Sequence, residues 1–148
     1  MKLKPDLSLN RMNIQKELQE IGLDQENSIV IGSGILNALN IRDSQDIDLI
    51  INQDLYIKFK ADGSFKIAEN HGKEVLVAKL FEIGTSWEVL GRIWNFSDLM
   101  SQTQVIDDVR YITLDFLLKV KKSWMHERNP RQKDQDDITL IEKYMQLK

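Results

Sequence analysis

The chain shows two hydrophobic periodicities, and each predicts a different type of secondary structure. Apolar residues spaced three to four positions apart, such as Ile14, Leu18 and Ile21, predict helices. Short apolar or alternating runs between glycine, asparagine or serine residues predict strands. The predicted helices cover residues 13–21, 35–39, 55–61, 96–101, 114–124 and 132–147. The predicted strands cover residues 28–31, 46–51, 65–68, 75–83, 87–93 and 105–112.

The order of these elements indicates the fold class. Strands and helices alternate first, strands follow one another in the middle, and helices close the chain. This order predicts an α+β fold with a mixed β-sheet flanked by helices and with further helices at the C-terminus. At 148 residues the chain has the length of one domain. We expect its core over about residues 25–112 and a helical part over about residues 113–148.

Composition excludes several classes of protein. There is no cysteine, which excludes disulfides, thiolate zinc sites and cysteine nucleophiles, and two histidines are too few for a histidine-rich metal site. A net charge of −3 argues against binding to duplex DNA, which needs a basic face. No apolar run approaches the roughly 20 residues of a membrane span, and the N-terminus lacks the apolar segment of a signal peptide. We therefore expect a cytoplasmic protein without a membrane partner.

Two acidic residues interrupt an otherwise apolar predicted strand. Asp46 and Asp48 flank Ile47, and apolar residues continue through Ile51. Alternate side chains of a strand share a face, so both carboxylates point the same way. Holding them together is costly unless a cation neutralises them, which predicts a divalent metal and, with it, phosphate chemistry. The alternative is an edge strand whose acids face water. The apolar residues beside the acids argue against this alternative, because they are typical of a buried central strand.

A Gly-Ser-Gly turn precedes the acidic strand. Gly32, Ser33 and Gly34 end the apolar run at residues 28–31, and twelve residues separate Ser33 from Asp46. Glycine permits positive φ and close approach of the backbone to a ligand, and the helix that follows would direct N–H groups at an anion. Ser33 could donate its hydroxyl to a phosphate oxygen. The alternative is an ordinary turn between a strand and a helix.

A two-metal site for phosphoryl transfer usually has a third carboxylate. Glu88 is the first candidate because it is the only acid in the apolar run at residues 87–93 and follows the turn at Gly84. Glu82, on the preceding run, is the second candidate. The remaining alternative is that Glu88 is an exposed strand residue.

The C-terminal part of the chain carries a basic cluster that either binds nucleotide phosphates or solvates helix faces. Asp134 and Asp137 lie three residues apart where the last predicted helix begins, a position that favours acids. Capping and salt bridges would explain these two acids without catalysis. The basic residues are Lys119, Lys121, Lys122, Arg128, Arg131 and Lys133.

Together these residues resemble the signature of the DNA polymerase β-like nucleotidyltransferase superfamily. The N-terminal part of the resemblance is Gly32-Ser33, twelve residues, and then Asp46-Ile47-Asp48. The C-terminal part is the segment at residues 111–121, which resembles a leucine-rich helix with a lysine near its end, followed by a basic and acidic motif. That part is similar to the small nucleotidyltransferases, including minimal, toxin–antitoxin and antibiotic nucleotidyltransferases. Its matching positions are Lys121, Arg131, Lys133, Asp134 and Asp137, with Gln132 where proline is common.

The resemblance implies a nucleotidyltransferase fold and transfer of a nucleoside monophosphate from an NTP, with ATP as the expected donor, to a hydroxyl group. It implies that Asp46 and Asp48 hold Mg²⁺ or Mn²⁺ and that Glu88 completes the acceptor side as a ligand or a base. The implied phosphate-binding residues are Gly32, Ser33, Gly34, Lys121, Arg131 and Lys133.

Two other functions stay open from the sequence. The chain could be a non-catalytic binding module of the same fold, acting as an antitoxin or a nucleotide sensor, or a structural domain without a nucleotide site. For the enzyme, the acceptor could be a toxin-like protein partner, a tRNA end or a small molecule such as an antibiotic. A homodimer is also compatible with a small sheet domain that has exposed tryptophans.

Overall fold

A computed structural model of the chain describes residues 11–127 and 129–147, so Arg128 of the basic cluster lies outside the described residues. The fold is α+β. Its helices are α1 (Ile14–Glu20), α2 (Gly34–Ala38), α3 (Gln53–Asp62), α4 (Phe96–Leu99), α5 (Leu114–Trp124) and α6 (Gln132–Gln146), with a 3₁₀ turn at Met100–Gln102. Its strands are β1 (Ile29–Ile31), β2 (Ile47–Ile50), β3 (Lys66–Asn70), β4 (Lys73–Ala78), β5 (Phe81–Gly84), β6 (Ser86–Val89), β7 (Arg92–Asn95), β8 (Thr103–Ile106) and β9 (Val109–Ile112).

Seven of these strands form one mixed sheet in the order β3-β4-β5-β2-β1-β9-β8. Strand β1 runs parallel to β9, and β2 runs parallel to β5, whereas the other neighbours in the sheet are antiparallel. Strands β6 and β7 form a separate antiparallel pair. The predicted mixed sheet and C-terminal helices are therefore confirmed.

Three segments predicted as single strands are hairpins in the structure. Residues 75–83 contain parts of β4 and β5, residues 87–93 contain parts of β6 and β7, and residues 105–112 contain part of β8 and all of β9. The chain reverses at residues with positive φ: Lys79 (52°), Leu90 and Gly91 (54° and 76°), and Asp107 and Asp108 (49° and 64°). Apart from Gly91 these residues are not glycine. The turn at Lys79 carries no glycine, asparagine or aspartate, whereas Asp107-Asp108 and Gly91 are typical turn residues that the prediction passed over.

The centre of the sheet is the core of the protein. All residues of β1 are buried, as are Ile47, Leu49 and Ile50 of β2. Because β1 and β2 are flanked by strands on both sides, they have no free edge, which explains their nearly continuous apolar sequence. Helix α1 packs Ile14 and Leu18 into the same cluster.

The C-terminal helices close over this core. Helix α5 begins where the side chain of Thr113 accepts a hydrogen bond from the Phe116 N–H, a standard N-cap contact. The three tryptophans are half-buried and pack at the rim of the core. Trp87 and Trp94 contact Phe116 with ring centroids 6.3 and 5.0 Å away, and Trp87 also contacts Trp124 at 6.5 Å. These rings attach the β6–β7 hairpin to α5. Within the described residues, no helix is long and apolar enough to cross a membrane.

Candidate functional site

A polar cleft of about 360 Å³ lies where β1 ends and β2 begins. Because β1 and β2 are antiparallel, with Ile31 opposite Asp48, the end of one strand lies beside the start of the other. The fold therefore brings the glycine-serine turn and the acid pair to one place, although they are distant in sequence. The cleft is lined by Ile31, Ser33, Arg42, Asp43, Ser44, Gln45, Asp46, Asp48 and Lys133.

Gly32 lets the turn approach the acidic strand closely. Its φ of +67° lies in the left-handed region, and a Cβ atom at this position would be 3.2 Å from Oδ2 of Asp48. Gly34 is buried at the start of α2, where a Cβ would clash with Val30. Helix α2 has only five residues, so its dipole adds little, and any anion here would be bound mainly by side chains and the turn.

Asp48 is the most perturbed carboxyl group of the cleft. It pairs in register with Glu82 across the parallel strands β2 and β5, so the two side chains are neighbours on the same face. Burial, and then the negative charges of Glu82 and Asp46, raise the pKa of Asp48 to about 6, while Lys133 acts in the opposite direction. Burial and neighbouring negative charge therefore both oppose the ionisation of Asp48.

Glu82 and Glu88, the two candidates for the third carboxylate, occupy different places. Glu82 lies on β5 beside Asp48, and Asn70 donates its Nδ2 hydrogens to both carboxylate oxygens of Glu82 at 3.0 and 2.8 Å. Glu88 is exposed on β6, opposite Ile93 in the separate hairpin. The structure brings Glu82, and not Glu88, next to the acid pair.

The donor set fits a hard divalent cation. Asp46 precedes β2 and is exposed, Asp48 is half-buried, and both line the same cleft. Carboxylate oxygens suit Mg²⁺ and Mn²⁺, and a bound cation would offset the burial and the like-charge repulsion that raise the pKa of Asp48. In the residues that the structure describes, no three histidine, cysteine or acidic side chains are already arranged around a common point for a metal.

The predicted phosphate-binding residues of the C-terminal motif do not all reach the cleft. Lys133 lines it. Lys121 is buried, and its Nζ lies 2.7 Å from Oδ1 of Asp134 and 3.1 Å from Oδ2 of Asp137. Arg131 pairs with Asp134, with its Nε 3.0 Å from Oδ2. Lys121 and Arg131 thus contact carboxylates of α6, and the salt-bridge role proposed for Asp134 and Asp137 is confirmed by these contacts.

The two aspartates of α6 are stabilised in their charged forms. Burial alone would raise the pKa of Asp134, but hydrogen bonds from Arg131 and Lys121 hold this pKa below its ordinary value. Burial likewise opposes the ionisation of Asp137, yet Arg42 and Lys121 together lower its pKa. Both carboxylates are therefore firmly paired anions inside the helix pair.

Arg42 is a cleft residue that the sequence pattern did not single out. Its Nε and Nη2 donate to the two carboxylate oxygens of Asp137 at 2.6 and 2.7 Å. Nη2 also donates to Oγ of Ser33 at 2.9 Å. Arg42 lies in the spacer between the turn and the acid pair, where no periodicity or motif marks it. Its contact with Asp137 becomes visible only once α6 is packed against this spacer.

Comparisons with models of protein families, with curated proteins and with solved structures found no match for this chain.

Proposed function

We propose that the protein is a metal-dependent nucleotidyltransferase with the fold of the DNA polymerase β-like superfamily. It would transfer a nucleoside monophosphate from an NTP, with ATP as the expected donor, to a hydroxyl group. One observation carries this proposal: the Gly32-Ser33 turn and the Asp46 and Asp48 carboxylates meet in one cleft, with Lys133 on its wall. An acidic side for a metal and a basic side for phosphates are what such a transfer needs.

The acidic side would hold the metal. Asp46 and Asp48 would bind Mg²⁺ or Mn²⁺, which when bound supplies positive charge to the triphosphate and to the reacting oxygens. Gly32 keeps the turn close to Asp48, so that a triphosphate gripped by the turn would also lie beside these carboxylates. Ser33 would donate its hydroxyl to a phosphate oxygen, and Lys133, which also lines the cleft, would neutralise phosphate charge.

The chemical step is a displacement at the α-phosphorus. The acceptor hydroxyl oxygen forms a bond to that phosphorus, the bond to the oxygen bridging to the β-phosphate breaks, and pyrophosphate leaves. The acceptor's proton passes to a carboxylate, a role that we assign to Glu82 because it lies beside Asp48. This assignment replaces Glu88, which is exposed on β6 in the separate hairpin.

The direct test is the release of pyrophosphate from ATP with Mg²⁺ present. The purified protein would be given three kinds of acceptor: co-expressed protein partners, tRNA, and hydroxyl-bearing antibiotics. We expect label from the α-phosphate of ATP on one acceptor, and its loss in Asp46→Asn and Asp48→Asn. Asp54→Asn, an exposed acid on α3, is the matched control. Unchanged transfer in the Asp46→Asn/Asp48→Asn double variant would contradict the proposed site.

The same experiment addresses the binding-module alternative. Calorimetry would measure the binding of Mg²⁺–ATP to the wild-type protein and to the double variant. Binding that depends on Asp46 and Asp48 but leads to no labelled acceptor would favour a nucleotide sensor or an antitoxin-like partner. Absence of both binding and transfer would favour a structural domain.

A further inference from the structure

We infer that Arg42 is a positioning residue that directs the hydroxyl of Ser33 into the cleft to bind a phosphate oxygen, and that Asp137 holds Arg42 in place for this task. This inference deepens the phosphate side of the proposed nucleotidyl-transfer site and rests on that proposal. It also gives the C-terminal helices a function at the site that does not require Lys121 to reach the substrate.

The guanidinium of Arg42 is fixed by contacts on several sides. Nε and Nη2 form a two-pronged contact with Asp137, and Nη1 donates to the backbone carbonyl of Asp43 at 2.9 Å. The second hydrogen of Nη2 reaches Oγ of Ser33 at 2.9 Å. Four of the five N–H donors of a guanidinium are thus engaged, which fixes its plane. With 23% of its side chain exposed, Arg42 also presents positive charge to the cleft.

Ser33 is a helix N-cap residue whose side chain does not cap. Serine at this position normally accepts a hydrogen bond from an N–H of the first helical turn. Here no such bond forms at the start of α2, and the Ser33 oxygen accepts from Arg42 instead. Among the hydrogen bonds of the described residues, the Ser33 hydroxyl donates to no protein group. Its own hydrogen is therefore left for a ligand in the cleft, and a hydrogen donor beside a guanidinium suits an anionic oxygen.

The charges behind Arg42 explain why an arginine is needed here. Lys121 is buried between two carboxylates, Asp134 and Asp137, so one lysine faces two negative charges. Arg131 supplies a second cation to Asp134, and Arg42 supplies one to Asp137. Lysine at position 42 would keep the charge, but its single ammonium lacks the planar fork that serves Asp137 and Ser33 together.

A double-mutant cycle tests whether Arg42 acts through Ser33. The variants are Arg42→Lys, Ser33→Ala and the pair together, and calorimetry would measure dissociation constants for inorganic tripolyphosphate and for Mg²⁺–ATP. Each single variant should weaken binding by about ten-fold, the usual loss of one charge-assisted hydrogen bond. If Arg42 acts through Ser33, the double variant should also lose about ten-fold rather than about a hundred-fold.

Arg92→Lys on β7 is the matched control, because Arg92 lies on the hairpin and stacks over Trp94, 4.0 Å from the ring centroid. It should bind both ligands as the wild type does. An additive cycle would overturn the inference. So would an unchanged dissociation constant in Arg42→Lys protein whose melting temperature falls, because a purely structural role predicts that result. A wild-type protein that binds neither anion would overturn it as well.

Ser33→Ala supplies a test that does not depend on the folding of an Arg42 variant. Because Ser33 does not cap α2, this change should leave thermal stability close to that of the wild type while weakening tripolyphosphate binding about ten-fold. Unaltered binding in folded Ser33→Ala protein would contradict the inference. If the wild type transfers nucleotide but the cycle is additive, this inference alone fails. If the cycle is coupled but no acceptor is labelled, the proposed function fails instead.

Discussion

Nζ of Lys121 lies 2.7 Å from the carboxylate of Asp134, and the two side chains are 3% and 2% exposed. This buried pair joins α5 to α6, and Asp137 extends it towards Arg42 and the cleft. A lysine that the sequence pattern assigned to phosphate is thus an internal counter-ion. Replacing Lys121 should therefore change the stability of the protein, whereas replacing the cleft residues should change ligand binding and activity.

Lys121→Met should strongly destabilise the protein. Methionine fills a similar volume but leaves two buried carboxylates facing each other, with only the peripheral Arg42 and Arg131 to neutralise them. Breaking a buried ion pair costs about 3–5 kcal/mol when the remaining charge has no partner, which is the upper limit here because Arg42 and Arg131 stay paired. Denaturant unfolding would measure the loss. Lys122→Met, one residue further on, breaks only an exposed pair with Glu142 and should cost at most about 1 kcal/mol. Equal losses in the two variants would contradict the internal role of Lys121.

The sequence was sufficient for the element types and the fold class, because long apolar periodicities and a buried sheet centre leave a clear pattern in β1, β2, α5 and α6. It did not separate β4 from β5 or β8 from β9. Their turns lie at Lys79 and at Asp107-Asp108, which adopt positive φ without glycine. The turn at Lys79 is stabilised by the strands on either side, and those contacts are visible only in the folded chain. Aspartate tolerates positive φ, so the turn at Asp107-Asp108 was readable from the sequence and was overlooked.

The candidate site was predictable in part for a similar reason. Asp46 and Asp48 are two residues apart, so local strand geometry was enough to place them together. The neighbour of Asp48 across the sheet depends on the parallel pairing of β2 with β5, which selects Glu82 rather than Glu88. The contact between Arg42 and Asp137 spans 95 residues and depends on how α6 packs. Sequence spacing contains no information about these two relationships.

Asp48→Asn should stabilise the protein at neutral pH. The pKa of Asp48 is about 6 in the folded state, against about 3.9 in an unfolded chain. The folded state therefore binds more protons between these values, and stability falls as pH rises from about 4 to about 6. Ionised Asp48 thus costs up to roughly 3 kcal/mol at pH 7, a cost that asparagine removes.

Unfolding curves of the wild type and Asp48→Asn between pH 4 and pH 7.5 would measure this effect. The two proteins should differ little at pH 4, and the advantage of the variant should grow up to about pH 6 and then level off. Mg²⁺ should raise the melting temperature of the wild type more than that of the variant, because the cation neutralises the carboxylate. A difference that is constant across this pH range would show that Asp48 has an ordinary pKa.

Glu82→Gln should impair nucleotidyl transfer more than Glu88→Gln. Glutamine keeps the shape of the side chain but cannot take the acceptor's proton, and Glu82 is the acid beside Asp48. Loss of the general base should lower activity by roughly 100- to 10,000-fold. Glu88→Gln, on the exposed face of β6, should retain wild-type activity. Pyrophosphate release from ATP would compare the two, and a larger effect at Glu88 would reverse the assignment.

Gly32→Ala should weaken metal and nucleotide binding beyond its effect on stability. At a φ of +67°, alanine costs about 1–2 kcal/mol of backbone strain, and its Cβ would lie 3.2 Å from Oδ2 of Asp48. The Asp48 carboxylate must then shift by a few tenths of an ångström. A displacement of this kind at a site that depends on positioning should weaken Mg²⁺–ATP binding by roughly ten-fold.

Gly63→Ala separates strain from geometry. Gly63 ends α3 with a φ of +81°, and a Cβ there would have no neighbour within 4 Å. In both alanine variants the free energy of unfolding should fall by a similar amount, about 1–2 kcal/mol, because both place alanine in the left-handed region. Denaturant unfolding would measure this loss. Only Gly32→Ala should lose affinity for Mg²⁺–ATP in calorimetry, because only its Cβ reaches a cleft carboxylate. If both variants bound the ligand equally well, the close contact between Gly32 and Asp48 would have no part in the site.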